Sequence, residues 1–389
     1  MENISIIGSG HTKFGRLDAS LEQMIVDVVK EAVEESGIAP EDIDAVYLGH
    51  FNSGLVPDGF ASSLIFQAYQ ELRFKPAMRA ENACASGSAA IHAGINAIQA
   101  GKAKTVLIVG AEKMTHRSTA DVTTSLAGAG YQNDPQESGL SFPQVFGIAA
   151  KGYTERYGSP LDAMAKISVK NHANAMQNPL AQMQKEFTFE EASQVTNKNP
   201  EIAPPLRLTD CSLVTDGAAA IILTTEENAA NFPKAVRFRA AEHVSDFLPM
   251  SRRDFLSFEG PERAFNRAYE KAGVTVKDID FAEVHDCFTI AELLTYEAMG
   301  LADKGQGQRA IEEGTVYRDG ALPVNLSGGL KAKGHPVGAT GVSMHAISFR
   351  QLTGQAGEMQ KPGASIGAVF NMGGAAVANY VSILETQKV

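Results

Sequence analysis

The chain has 389 residues, 44% of them hydrophobic and 20% charged, with a formal net charge of −11. That length supports more than one unit of ordinary size and a large core, and the acidic balance excludes nucleic acid as an expected partner. Three cysteines with no Cys-x-x-Cys pair argue against a disulfide framework and a structural zinc site, and they fit a reducing, cytoplasmic compartment.

The first predicted element is a strand over Ile4–Ile7. No basic n-region or long apolar stretch accompanies it, so no signal peptide is expected, and no run of ~18 apolar residues predicts a membrane span. The last residues, Thr386-Gln387-Lys388-Val389, do not form a peroxisomal tripeptide. Leu21, Met24, Ile25, Val28, Val29, Ala32 and Val33 make one helical stripe, opened by a capping box from Ser20 and Gln23 and closed by Gly37. A short strand, Ala45–Leu48, follows. Cys84 comes next, in Glu81-Asn82-Ala83-Cys84-Ala85-Ser86-Gly87-Ser88-Ala89-Ala90, ahead of a helical pattern through Ile91, Ile95 and Ile98. This spacing puts its sulfur near a helix N-terminus, where N–H groups and the dipole favour a thiolate. A strand over Thr105–Gly110 follows. Residues 115–208 are rich in Ser, Thr, Asn, Gln and Gly, with helical patterns over Ala163–Met176 and Thr188–Val195, and they read as an inserted loop domain. Gly217–Thr224 resumes a buried strand.

The segment GIAPEDID at 37–44 returns as GVTVKDID at 273–280. The helices before them share phase, with Ala264, Phe265, Ala268 and Tyr269 on the positions of Val28, Val29, Ala32 and Val33, and a strand follows each, Phe281–Val284 in the second copy. The chain is therefore expected to be two copies of one α/β unit, residues 1–240 with the insertion at about 115–208 and residues 241–389, the second ending in strands over Ala364–Phe370 and Ala376–Leu384.

Three further clusters carry chemistry. Glu283-Val284-His285-Asp286-Cys287-Phe288-Thr289 follows the second-half strand, at the kind of strand end where ligands bind; His285 and Cys287, two apart in extended chain, would face one side. Ser327–Gly341 holds five glycines around Gly334-His335-Pro336, a fixed backbone that suits a general base; its spacing rules out a phosphate loop. Asn371-Met372-Gly373-Gly374 closes a strand, where glycine N–H groups can stabilise an oxyanion. A thiol nucleophile, a histidine base and a second thiol form a coherent set for acyl transfer with proton movement at carbon.

On these motifs the chain resembles thiolases from end to end. Cys84-Ala85-Ser86-Gly87 is similar to the family's nucleophile motif, and Gly334-His335-Pro336 with Gly338-Ala339-Thr340-Gly341 to its general-base motif. Most thiolases carry an Asn-Glu-Ala-Phe motif after the second-half strand and a second cysteine in a late Cys-x-Gly. Here His285-Asp286-Cys287-Phe288 and Asn371-Met372-Gly373 stand there instead, which resembles the sterol-carrier-protein-type thiolase subgroup, as do Lys170–Asn174 and Asp210-Cys211-Ser212. No sterol carrier domain is expected, because the chain ends with the thiolase pattern.

The resemblance implies a five-layer αβαβα thiolase fold, a loop domain over the site, and a homodimer or tetramer. It implies reversible cleavage of 3-ketoacyl-CoA, with coenzyme A thioesters as substrates and neither a cofactor nor a metal. Cys84 would be acylated and His335 would activate it. Cys287 would exchange the α-proton, His285 with His335 would bracket the enolate oxygen, and the N–H groups of Cys84 and Gly373 would hold the second oxyanion. Ser212 would contact the pantetheine arm, while Arg117, Lys198 and Arg207 are equal candidates for the phosphates and Cys211 is structural. A ketoacyl synthase shares the fold but has no use for Cys287. A C-acyltransferase acting on a non-CoA acceptor, or a subunit joined to a synthase by a small bridging protein, would show the same motifs.

Overall fold

The computed structural model describes residues 3–135 and 137–387; Lys388 and Val389 lie outside them. The first half runs β1 (Ile4–His11), α1 (Leu21–Ser36), β2 (Ala45–Gly49), β3 (Ala77–Ala80), α2 (Ser86–Gln99) and β4 (Thr105–Glu112). An excursion follows, with α3 (Thr119–Ala127), α4 (Phe142–Tyr157), α5 (Leu161–Ala175), α6 (Phe189–Ser193) and a hairpin of β5 (Glu201–Ala203) and β6 (Leu206–Arg207). The chain then returns as β7 (Gly217–Thr225), α7 (Glu226–Ala229), β8 (Ala235–Ser245), α8 (Glu259–Ala272), β9 (Phe281–Val284), α9 (Thr289–Ala298), α10 (Gln308–Glu312), α11 (Gly329–Ala332), α12 (Thr340–Leu352), β10 (Ile366–Gly373) and β11 (Ala378–Gln387).

Nine strands pair in the order β3-β2-β4-β7-β1-β8-β11-β10-β9. The order β2-β4-β7-β1 is repeated as β9-β10-β11-β8, with the same parallel first pair and antiparallel remainder. Within the sheet, the two half-sheets pair through Ser5↔Arg237 and Ile6↔Val236. The repeated segments fold alike: α1 and α8 each stop at a left-handed glycine, Gly37 at φ 72° and Gly273 at φ 65°, then make a short 3₁₀ turn and enter a strand. Only half of the expected capping box forms on α1. The Ser20 side chain accepts from the Gln23 N–H, but the Gln23 amide turns away to Asp27.

Five layers result. α1 packs against β1, β7 and β4 on the outer face of the first half-sheet. α2 and α12 lie between the half-sheets, α12 touching β1, β4 and β7 on one side and β9, β10 and β11 on the other; α8 covers β8 and β11 from outside. β4 is buried along its whole length, which explains its near-continuous apolar sequence. Its alternate side chains serve different layers: Val106 and Ile108 join the central core, Leu107 and Val109 the outer one.

Candidate active site

Cys84 sits on a tight elbow between β3 and α2. Ala83 before it holds φ 51°, a left-handed conformation that costs a non-glycine residue about 1–2 kcal/mol. The elbow is fastened locally. The Ser86 hydroxyl donates to Ala83 O at 2.6 Å and accepts from Asn82 N–H at 2.9 Å, and the Asn82 amide donates to the Tyr380 hydroxyl at 2.8 Å. α2 starts two residues after the thiol.

His335 comes from the second half, on the glycine-rich turn ahead of α12. Gly334 at φ 120° lets the turn close onto Thr215, whose hydroxyl accepts the His335 N–H at 3.0 Å. The ring Nδ1 meets the Thr340 hydroxyl at 2.7 Å, and that hydroxyl donates to Pro336 O. Nδ1 is thus the protonated nitrogen, and Nε2 keeps its lone pair for a proton acceptor's work.

His285 and Cys287 follow β9. They line one cavity of about 220 Å³ together with Cys84, His335 and Gly374, and reactive atoms of Cys84, His285 and His335 all lie within 4.8 Å of one another. Between them Asp286 points the other way: it accepts from Leu330 N–H at 2.6 Å, Lys331 N–H at 3.1 Å and the Asn171 amide at 2.8 Å. Asn171 also donates to Glu292, which pairs with Lys170 at 2.8 Å. The Lys170–Asn174 motif is therefore a buried brace under the His285–Cys287 segment.

The titration pattern corrects one expectation. Burial pushes the Cys84 thiol up to about 12, outweighing the N–H groups of Gly374 and of Cys84 itself that face the sulfur. Burial likewise holds His335 down at about 3, with the Lys333 charge adding to it, and carries Cys287 well above and His285 well below their ordinary values. At rest the site is thiol, thiol and two neutral imidazoles, not a thiolate–imidazolium pair.

Gly373 is the last residue of β10, paired with Ala378 and close to Asn82 O; Gly374 beside it lines the cavity, and its N–H faces the Cys84 sulfur. Ser212 stands where this cavity meets a larger one of about 680 Å³, held there by its N–H to Cys287 O at 2.9 Å. Of the three basic candidates, Arg207 is buried against Asp210 and Arg117 is turned onto Leu55 O and Gly54 O, while Lys198 lines the larger cavity beside Lys185 and Lys331. Cys211 donates to Arg207 O at 3.5 Å and lines both cavities. One residue escaped the sequence reading altogether: Glu112, at the end of β4, is fully buried and accepts N–H bonds from Phe51, Asn52 and Gly338, tying the His335 turn to the first half. A carboxylate closing an otherwise apolar strand was its signal.

A thiol nucleophile, a neutral imidazole with a free lone pair and a second thiol around one apolar cavity define an acyl-transfer enzyme on a duplicated α/β frame. The comparisons make the class specific. The thiolase N-terminal domain matches residues 4–227 and the thiolase C-terminal domain-like family matches residues 241–386. An acetyl-CoA acetyltransferase of Methanothermobacter thermautotrophicus is 40% identical over 96% of this chain and 97% of its own. Human sterol carrier protein 2 is 34% identical over 96% of this chain and 70% of its own. Among solved structures, human mitochondrial 3-ketoacyl-CoA thiolase in complex with CoA superposes with a TM-score of 0.72 at 18% identity, covering 99% of this chain and 98% of that one. The Ltp2-ChsH2(DUF35) aldolase superposes with a TM-score of 0.82 at 20% identity, covering 99% and 98%. The chain belongs to the thiolase family and is an acyltransferase of thiolase fold. No helix among the described residues is long and apolar enough to cross a membrane.

Proposed function

We propose that this thiolase cleaves 3-ketoacyl-CoA, acetoacetyl-CoA or a longer homologue, and runs the reverse condensation, through an acyl group on Cys84. The observation that carries the reading is the meeting of Cys84, His285 and His335 within 4.8 Å, on a cavity that Cys287 also lines. In cleavage, His335 Nε2 takes the Cys84 proton as the sulfur bonds to the 3-keto carbon. The Cα–Cβ bond then breaks and its electron pair passes into the acetyl-CoA enolate. The His285 Nε2–H holds the enolate oxygen, and the Cys287 thiol protonates the α-carbon. Coenzyme A then attacks the acyl group, its proton restoring Cys287, and the departing Cys84 sulfur recovers its own from His335. The resting thiols and neutral rings supply each proton that this direction needs.

The N–H groups of Cys84 and of the Gly373-Gly374 pair take the second oxyanion role, Gly374 N–H facing the sulfur. Ser212 guides the pantetheine arm, and Lys185 and Lys198 serve the phosphates. Val122, Leu126, Phe142 and Phe288 wall the acyl cavity, which fits acyl groups longer than acetyl. The reading extends to a cytoplasmic homodimer or tetramer in fatty-acid or other lipid metabolism, acting without a cofactor, with its two halves meeting near residue 240. It includes a small bridging protein as partner, for which a neighbour named for an Ltp2–ChsH2(DUF35) pair offers support. The test is thiolysis of a panel of 3-ketoacyl-CoA substrates beside peptide mass mapping. One acyl mass on the Cys84 peptide is expected; an adduct on Cys211 or Cys287, or no thiolysis across the panel, refutes it.

A further inference from the structure

Asn371 is fully buried at the end of β10, against both catalytic elements. Its Nδ2 lies 3.2 Å from Cys84 O and 3.0 Å from His285 Nδ1, and its Oδ1 accepts the Ser88 hydroxyl at 2.8 Å. A main-chain carbonyl can only accept, so the atom facing Cys84 O must be the NH₂ group, which fixes the amide's orientation. That group has two hydrogens. One goes to Cys84 O and the other to His285 Nδ1, which must then be unprotonated. A neutral ring so held carries its hydrogen on Nε2, the nitrogen left for the cavity.

We propose that Asn371 is a positioning residue that fixes His285 as the Nε2–H tautomer, and that this makes the Cys84–His285–His335 cluster an oxyanion site instead of a metal site. One sulfur and two imidazoles converging on a cavity are the ligand set of a zinc centre with an open position. A ligating histidine, however, donates its second ring N–H to a carboxylate or carbonyl, leaving a lone pair for the metal. Asn371 presents the opposite polarity. It denies His285 a lone pair at Nε2, so a zinc ion finds two ligands where three are in place. His335 has the reverse wiring, Nδ1–H to Thr340 and Nε2 bare. Two neighbouring histidines thus hold complementary tautomers, one as acceptor and one as donor. The inference rests on the thiolase reading for the use of the donor, but the tautomer is read without substrate, so the two fail separately.

The experiment is ¹⁵N-histidine NMR of the full-length protein, with His285 assigned by the signal lost in His285→Asn. A neutral Nε2–H ring is expected at pH 7; a neutral Nδ1–H ring overturns the proposal whatever the enzyme does. Asn371→Asp then places an acceptor where the NH₂ group stood. Acetylation of Cys84 by acetyl-CoA should persist, since His335 is untouched, while thiolysis and α-proton exchange fall ~10²–10³-fold, the loss of one oxyanion donor. Zn²⁺ affinity, measured by competition with a chromophoric chelator, should rise at least about tenfold with the regained lone pair. A doubly protonated ring in the variant with an intact carbon–carbon step supports the proposal, because Nε2–H persists. Wild-type thiolysis from a ring lacking Nε2–H, or unchanged Zn²⁺ affinity with that ring, overturns it. Should Asn371→Asp not fold, the wild-type spectrum alone decides.

Discussion

The His285 and His335 rings meet edge to face, their centroids 5.1 Å apart and their planes at 88°. Each ring comes from the second half, yet both serve a thiol supplied by the first. Their different hydrogen-bond partners give them different tasks.

Separation of those tasks is measurable. His335→Ala should abolish acylation of Cys84, because a thiol raised to about 12 has no other base beside it. His285→Asn should acylate normally and lose ~10²–10³ in the carbon–carbon step. Rapid-quench acetylation beside steady-state thiolysis checks both; equal acylation defects would contradict the division.

Cys287→Ser should still accept an acetyl group on Cys84 but fail to exchange the α-protons of acetyl-CoA. A serine hydroxyl is far less acidic than a thiol and cannot replace it as the carbon acid–base. Deuterium wash-in followed by mass spectrometry reads the exchange. Wild-type exchange in the variant would reduce Cys287 to a packing residue.

Acid should destabilise the fold well before carboxylates titrate. Burial is the leading cause that holds His92, His172 and His335 at about 3, His345 at about 4, and His11 and His285 well below the ordinary range. Below pH ~6.5 the unfolded chain binds protons that these native rings refuse, so each site removes about 1.4 kcal/mol per pH unit until its folded pKa is reached. Asp286, raised by burial to about 7, and His50, raised against its burial by the Glu112 carboxylate, oppose the trend, since their native forms take up a proton first. Urea midpoints at pH 7 and pH 5 should show a large loss at pH 5; a flat profile would contradict the buried neutral rings.

Gly338→Ala should cost at least ~1–3 kcal/mol, the price of overpacking a fixed frame. A methyl there would meet Ala111 O at 2.6 Å, Glu112 Oε2 at 2.7 Å and Gly49 O at 2.8 Å. Gly59→Ala, with open space around it, is the control and should stay within about 0.5 kcal/mol. Chemical denaturation of the pair decides whether the clash is real.

What sequence makes legible here is whatever is local and periodic. The α1 stripe, the stop glycines and the apolar run of β4 each follow from spacing alone, and the alternation His285-x-Cys287 placed both groups on one cavity. Other features depend on what lands from far away. β4 extends to Glu112 because the Phe51, Asn52 and Gly338 amides arrive to satisfy a charge that otherwise reads as a strand end. The state of the Cys84 thiol turns on the apolar cavity it opens into, whose far wall is α3 and the start of α4 and which no spacing around Cys84 reports.

The contact between α2 and the turn into α12 has a consequence for how such an enzyme diversifies. A methyl at Gly87 would meet Gly338 O, Val342 N and Gly341 N at 2.9–3.1 Å, so the nucleophile's helix and the base's turn abut through main chain. Main-chain contact does not change when side chains do. The acyl cavity, by contrast, is walled by Val122, Leu126 and Phe142 from the excursion between β4 and β7. Substrate range is therefore free to drift by replacement of those side chains while the gap between thiol and imidazole stays constant, so a new specificity can be acquired without the chemistry being reinvented.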